Sequence, residues 1–175
     1  MIEHKILFTG TVGAGKTTAI QAVSEIPTVC TDVISSDLTI GKKMTTVALD
    51  YGEVSLGQSE RLRLYGTPGQ ARFSFMWDVL AKGALGLIIL VDHTHPDPLK
   101  DLNLYLQHFA RLIKETACVV AISKMDKSRP PPLQEFIGLL HKNHMANPVI
   151  AADVRDKEQV LWILDLLLAQ MEVRV

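Results

Sequence analysis

Cysteine is scarce: the 175 residues contain two, Cys30 and Cys118. Two thiols cannot build a disulfide framework, and neither stands in a metal-type spacing, so a reducing cytoplasm is the expected compartment. An excess of charge is missing as well. Eighteen Lys and Arg against 19 Asp and Glu leave a formal net charge of −1, which gives no electrostatic reason to expect nucleic acid or an anionic membrane as the main partner. No apolar run is long enough to cross a bilayer: the most apolar stretch, 160–171, contains Asp165 and falls short of the roughly 20 residues a span requires. The N-terminus lacks the basic start and long apolar run of a signal peptide. Ile2 stands where myristoylation needs glycine, and the C-terminus has no Cys to prenylate. Repeats, low-complexity tracts and linkers are absent too. The expectation is a soluble, unanchored, cytoplasmic chain folded as one domain over 1–175, with 47% hydrophobic residues to supply its core.

Short apolar runs alternate with helical patterns. Ile6-Leu7-Phe8 precedes a Gly-rich turn and a helix over about 16–25. Residues 84–91 (ALGLIILV) and 117–122 (ACVVAI) are apolar throughout, as strands buried on both faces should be. Leu99, Leu102, Leu106, Phe109 and Ile113 have helical spacing. Pro130-Pro131-Pro132 opens a further helix to about Met145. Residues 148–151 read as a last strand and 157–171 as a last helix. Segments 46–54 and 61–65 lie too close in sequence for anything but an antiparallel hairpin. The fold class is α/β, with a mostly parallel sheet and one antiparallel edge strand.

Gly10-Thr11-Val12-Gly13-Ala14-Gly15-Lys16-Thr17 fits G-x-x-x-x-G-K-[ST] in full, after an apolar strand and before a helix. Backbone N–H groups of such a loop close around phosphate oxygens, helped by the helix dipole. Lys16 reaches the β- and γ-phosphates, and the Thr17 hydroxyl ligates Mg²⁺. The motif specifies a nucleoside triphosphate without naming its base.

Ser123-Lys124-Met125-Asp126 follows the buried strand 117–122, at the strand end where α/β sheets bind ligands. The Asp126 carboxylate can accept hydrogen bonds from guanine N1–H and N2–H₂. Adenine offers no such donor pair and would leave the carboxylate unpaired. The Lys124 stem can cover the purine face.

Together these motifs resemble the Ras-like small GTPase family over nearly the whole chain. Gly69-Gln70-Ala71-Arg72-Phe73 is similar to the G-Q-x-R-F after the third GTPase motif, and Ser123-Lys124-Met125-Asp126 to N/T-K-x-D. Residues 151–155 (AADVR) stand in the place of the fifth motif, S-A-x, and Thr46 is the candidate switch I threonine. Leu64-Tyr65-Gly66-Thr67-Pro68-Gly69-Gln70 is closest to the bacterial gliding-motility polarity GTPases. The resemblance implies a P-loop NTPase of three layers that binds GTP or GDP with Mg²⁺. Switch I would cover 27–46 and switch II 67 to about 82. Gln70, Lys16 and Thr46 would be the catalytic residues, with Gln70 orienting the attacking water. Thr46 would join Thr17 on the metal only when the γ-phosphate is present, and the Gly69 N–H would contact that phosphate. Gly10, Val12, Gly13, Ala14, Gly15, Thr17 and Thr18 would hold phosphates. Ser123, Lys124, Asp126, Ala151 and Ala152 would hold the base, with the Ala152 N–H on guanine O6. Protein effectors and an activating protein of the Roadblock type are the implied partners.

The chain departs from the family pattern at three positions. Gly66 replaces the Asp that holds a magnesium-bound water. Asp50 is the expected substitute. With a two-residue turn at Gly57-Gln58, Leu56 pairs with Ser59 and Asp50 falls opposite Tyr65; a one-residue bulge would bring it opposite Gly66, within the ~4.5–5.5 Å of a directly opposed pair. Val12 puts methyl groups near the γ-phosphate and predicts slow turnover, on the scale of about 10⁻⁴ s⁻¹ for an unassisted Ras-type enzyme. Ser123 is shorter than the usual Asn, which puts its tie to the phosphate loop in question, but relatives accept threonine there and the change is expected to be mild.

The remaining features have structural readings. His93 and His95 are expected to be solvated and His141 and His144 to lie on a surface, rather than to bind metal. Arg72 is expected in a salt bridge within switch II. Phe73, Phe75, Met76 and Trp77 divide between core and partner surface. The last helix carries more apolar residues than one stripe needs, through Leu161, Trp162, Ile163, Leu166 and Leu168, which suggests a homo-oligomer or partner contact. The sequence therefore reads as a slow GTPase switch. A nucleotide-dependent scaffold with negligible hydrolysis, or a P-loop ATPase or kinase, are its alternatives.

Overall fold

A computed structural model describes residues 2–35, 45–127 and 131–173, the side chains of 30–35, 45–48 and 127 excepted. Strand β1 (Ile2–Gly10) leads into helix α1 (Lys16–Val23). Next come β2 (Val29–Ser35), β3 (Thr45–Leu56) and β4 (Glu60–Gly66), then α2 (Ser74–Ala81) and β5 (Gly86–Asp92). Helices α3 (Pro98–His108) and α4 (Ala110–Glu115) precede β6 (Ala117–Ser123). Finally α5 (Leu133–Lys142), β7 (Val149–Ala151) and α6 (Lys157–Val173) complete the order.

The seven strands among the described residues form one sheet in the order β2-β3-β4-β1-β5-β6-β7. Strands β4, β1, β5, β6 and β7 are mutually parallel, and β3 runs against them, the single antiparallel strand expected. One strand was not anticipated. β2 pairs antiparallel with β3 from Val29↔Tyr51 to Ser35↔Thr45, so β3 is flanked on both sides and β2 is the edge. The segment assigned to switch I thus contains an ordered strand; its residues 36–44 lie outside those described.

Alternation along the strands sorts the core into two layers. Ile6, Phe8, Leu62, Leu64, Ile88, Leu90 and Val119 face α1 and α6, meeting Ile20, Val160, Leu164 and Leu167. Leu7, Leu87, Ile89, Val91, Val120 and Ile122 face the other helices, meeting Trp77, Leu102, Leu106 and Phe136. β5 and β6 are buried at every position. The single helix expected over 99–113 is interrupted at Phe109, which separates α3 from α4. α5 begins at Leu133, after the prolines, rather than at them. Among the described residues, no helix is long and apolar enough to cross a membrane.

The β3–β4 hairpin differs from the expected register by one residue. Leu56 pairs with Glu60 across a three-residue loop, and Asp50 stands directly opposite Gly66 without any bulge. The apolar pattern accounts for it. This register pairs Val54 with Leu62 and Gly52 with Leu64 on the core face, whereas the two-residue turn would have set Val54 against Arg61.

Candidate nucleotide site

The C-terminal ends of β1, β5 and β6 lie side by side, with Gly10 paired to Leu90 and Asp92 to Ser123. The loop after β1 turns into α1 at Gly15, in the left-handed region at φ 101°, and no side chain caps the first turn of the helix. Lys16 is buried to 8% exposure and folds back over the loop, its Nζ donating to the Gly10 carbonyl at 2.7 Å and the Thr11 carbonyl at 2.8 Å. Burial pulls its ammonium down to about 8, against partial opposition from Asp50.

Beside this loop, the Thr17 hydroxyl donates to Asp50 Oδ2 at 2.6 Å. Asp50 is buried, and Gly66 makes room for it: a Cβ on Gly66 would lie 2.9 Å from Asp50 Oδ2 and 3.0 Å from its Cβ. The neighbouring strand thus delivers a carboxylate to the Thr17 hydroxyl. A carboxylate and a hydroxyl fit Mg²⁺, which takes one or two carboxylates and keeps room for water and phosphate oxygens. Among the described residues, no group of three or more His, Cys, Asp or Glu is placed to hold a metal, so a cation here would need nucleotide oxygens as well. Thr46 lies in β3 opposite Ile34, and its side chain is outside those described.

The base end is a cavity of about 620 Å³, lined by Gly13, Gly15 and Thr18 on one side and by 123–126, 151–155 and Gln159 on the other. Asp126 sits in a short 3₁₀ turn (Met125–Lys127) at its rim. Ser123 does reach the phosphate loop: its hydroxyl is shared between the Ala14 carbonyl at 3.1 Å and the Val91 carbonyl at 3.2 Å. The exchange for Asn is therefore mild in its effect on the loop, as expected. A serine suffices because β6 already brings the residue to full burial beside Ala14.

Lys124 takes a left-handed backbone at φ 61°. Its Nζ donates to the Gly13 carbonyl at 2.9 Å and to Asp92 Oδ2 at 2.5 Å. Asp92, which the motifs did not single out, also accepts the Thr94 N–H at 2.9 Å and hydroxyl at 2.7 Å. Burial alone would raise its carboxyl, but these donors outweigh it and hold Asp92 below the usual carboxylate range. The β5–β6 register that pairs Asp92 with Ser123 is what puts it next to Lys124.

The 151–155 loop is placed differently from expectation. The Ala152 N–H, assigned to guanine O6, donates instead to the Ile122 carbonyl at 3.0 Å, because β7 keeps its partnership with β6 up to Ala151. Asp153 N–H is taken by Gln159 Oε1 at 2.8 Å. Val154, two residues beyond Ala152, packs on the phosphate loop, with Cγ2 2.6 Å from where a Gly15 Cβ would lie. Among the described residues its N–H has no acceptor. Arg155 is held by the Asp153 carboxylate through Nε at 2.9 and 3.2 Å and a terminal nitrogen at 2.6 Å. The signal for this shift is Asp153-Val154-Arg155 itself, a capping side chain, a small apolar residue and a cation.

After β4, Gly69 lies against the phosphate loop; a Cβ there would fall 2.5 Å from the Val12 N. Gln70 is exposed, and Val12 is 62% exposed. Phe73 and Trp77 turn inward while Phe75 and Val79 stay exposed. Arg72 has no carboxylate partner among the described residues; its guanidinium lies 4.7 Å over the Phe73 ring. His93 is buried rather than solvated, bonded through Nε2 to the Pro131 carbonyl, and His95 pairs with Asp101.

The sequence is similar to those of known proteins. The chain is 29% identical over 90 residues to the uncharacterized protein MJ1339 of Methanocaldococcus jannaschii, covering 51% of each. It is 30% identical over 112 residues to the GTP-binding protein YPT1 of Saccharomyces cerevisiae, covering 64% of this chain and 50% of that protein. The chain spans about half the length of these curated relatives. Residues 8–170 match the family described as conserved hypothetical ATP binding protein, and the chain is a P-loop nucleotide-binding protein of that family.

Proposed function

We propose that this protein is a guanine-nucleotide switch that binds GTP and GDP with Mg²⁺ and hydrolyses GTP slowly. The observation that carries the reading is the pairing of Asp126 with the unpartnered Val154 N–H around one cavity. Guanine offers N1–H and N2–H₂ to the carboxylate and O6 to the N–H. Adenine would set an amino group against the Val154 donor and leave Asp126 unpaired. Lys124 and Arg155 then cover the two faces of the ring, and Val154 takes the role first assigned to Ala152.

Thr17 and Asp50, joined by Thr46 in the triphosphate state, would hold Mg²⁺, whose positive charge would offset negative charge developing on the phosphate. Lys16, whose ammonium now donates to the Gly10 and Thr11 carbonyls, would turn to the phosphate oxygens. Gln70 would orient the attacking water from its exposed position. Loss of the γ-phosphate would free Thr46 and the Gly69 N–H and so alter both switches. Exposed Phe75 and Val79 on α2 would carry the signal to protein effectors and to an activator, of the Roadblock type by resemblance to the polarity GTPases. Trp162, an exposed large apolar residue in the middle of α6, would mark a homo-oligomer contact there.

Competition between GTP and ATP for the purified chain tests the reading. GTP should win by at least about a hundredfold, and Asp126→Asn should shift preference toward xanthine nucleotides. Equal uptake of ATP overturns it. ATP is the second reading, favoured by the description of the family.

A further inference from the structure

Trp77 is buried to 1% exposure, yet its polar edge is not idle: Nε1–H donates to the Pro68 carbonyl at 2.7 Å. The indole cannot swing away from that bond. Tyr105 packs on it at 4.9 Å between ring centres, Phe109 stacks at 6.0 Å, and His108 meets it edge-on at 5.0 Å. The chain just before is also fixed, because Thr67 N–H donates to the Phe8 carbonyl at 2.9 Å and its hydroxyl shares a hydrogen bond with Thr9 at 2.9 Å.

The Pro68 carbonyl belongs to the same peptide unit as the Gly69 N–H. In a planar trans peptide the two point in opposite directions. A donor that captures the carbonyl on the α2 side therefore turns the amide away from α2. Gly69 itself lies against Thr11 and Val12 of the phosphate loop. Its N–H has no acceptor among the described residues.

We propose that Trp77 is a positioning residue: by holding the Pro68 carbonyl it aims the Gly69 N–H at the space beside the phosphate loop where a terminal phosphate would sit. This rests on the reading of Gly69 as a γ-phosphate donor. It assigns Trp77 a part in telling triphosphate from diphosphate, beyond its packing in the core. A diphosphate does not reach that amide, so Trp77 should matter for one nucleotide and not the other.

The test compares the full chain with Trp77→Phe, which keeps an aromatic ring but loses the N–H. Affinities for GDP and for a non-hydrolysable GTP analogue are measured with Mg²⁺, together with the melting temperature of the nucleotide-free protein. GDP affinity should stay within about twofold while analogue affinity falls about tenfold, the effect of one misdirected buried hydrogen bond. Should Trp77→Phe fail to fold, Trp77 is replaced by benzothienylalanine in a Trp162→Phe background, which keeps the ring shape and exchanges N–H for sulfur. Equal losses for both nucleotides, or no loss for either, overturn the proposal. If the unaltered protein prefers adenine, the guanine reading falls and the same comparison is made with ADP and an ATP analogue, since the γ-phosphate is common to both.

Discussion

A missing side chain decides the chemistry at Gly66. The Asp50 carboxylate fills the space a Cβ would occupy and thereby reaches Thr17. Gly66→Ala should push Asp50 off the Thr17 hydroxyl and lower Mg²⁺-dependent nucleotide affinity by about tenfold or more, with little change when Mg²⁺ is chelated; titration of labelled GDP with and without EDTA reads this directly. Lys16 gives a second prediction at this scale. Its folded pKa, near 8, lies below the ordinary 10.5. Between those values the unfolded chain binds a proton that the folded one does not, so the cost of burying this group is full below that window and is relieved as pH rises through it. A bound polyphosphate restores the charged form. Nucleotide binding should thus take up almost no proton at pH 6.5 and a growing fraction of one above pH 8, measured by calorimetry in buffers of different ionisation heat. The places of individual residues are legible where a motif fixes them, Lys16 and Thr17 at the start of α1 and Asp126 at the cavity after β6. They are not where the partner comes from another strand: Asp92 and the Val154 N–H acquire their places from the β5–β6 and β6–β7 registers.

Registers belong to elements, and one loop residue settles the most consequential of them. The sequence made the hairpin evident and left its turn length open, yet Val54, Leu62 and Leu64 on one face and Arg61 and Arg63 on the other already require Val54 to oppose Leu62. Gly57→Asn together with Gln58→Gly would write the strongest two-residue turn at 57–58 and favour the alternative, setting Val54 against an arginine and Asp50 against Tyr65. Thermal melting should drop by several degrees, and the Mg²⁺ dependence of nucleotide binding should vanish with the Thr17–Asp50 bond. β2 leaves no plain mark in the sequence because an edge strand paired on one side needs no continuous apolar run, and Val29 is exposed. The apolar surplus of α6 was legible but its destination was not. Leu161, Leu166, Leu168 and Met171 pack on the core with Ile163, leaving Trp162 outside.

At the scale of the whole molecule, the phosphate loop is the point where separate strands are joined. Ser123 bonds to Ala14, Lys124 to Gly13, and Val154 packs on Gly15, so β6 and the loop after β7 both lean on the loop after β1. Asp92 closes the set from β5 through Lys124 and Thr94. The site that would grip a nucleotide is therefore also a structural junction, and the two roles can be separated by mutation. Asp126 is exposed at the cavity rim, so Asp126→Ala should leave the melting temperature of the nucleotide-free chain unchanged while weakening nucleotide binding. Asp92 is 7% exposed and holds three donors that would all be left without it. Asp92→Ala should destabilise the nucleotide-free chain by about 1–3 kcal/mol and also speed nucleotide release, since Lys124 would lose the anchor that keeps its loop against Gly13. Melting curves of the two variants without nucleotide, set beside stopped-flow release of a labelled nucleotide, distinguish the cases. A molecule whose base-binding loops fold independently of the phosphate loop would show Asp92→Ala altering stability alone.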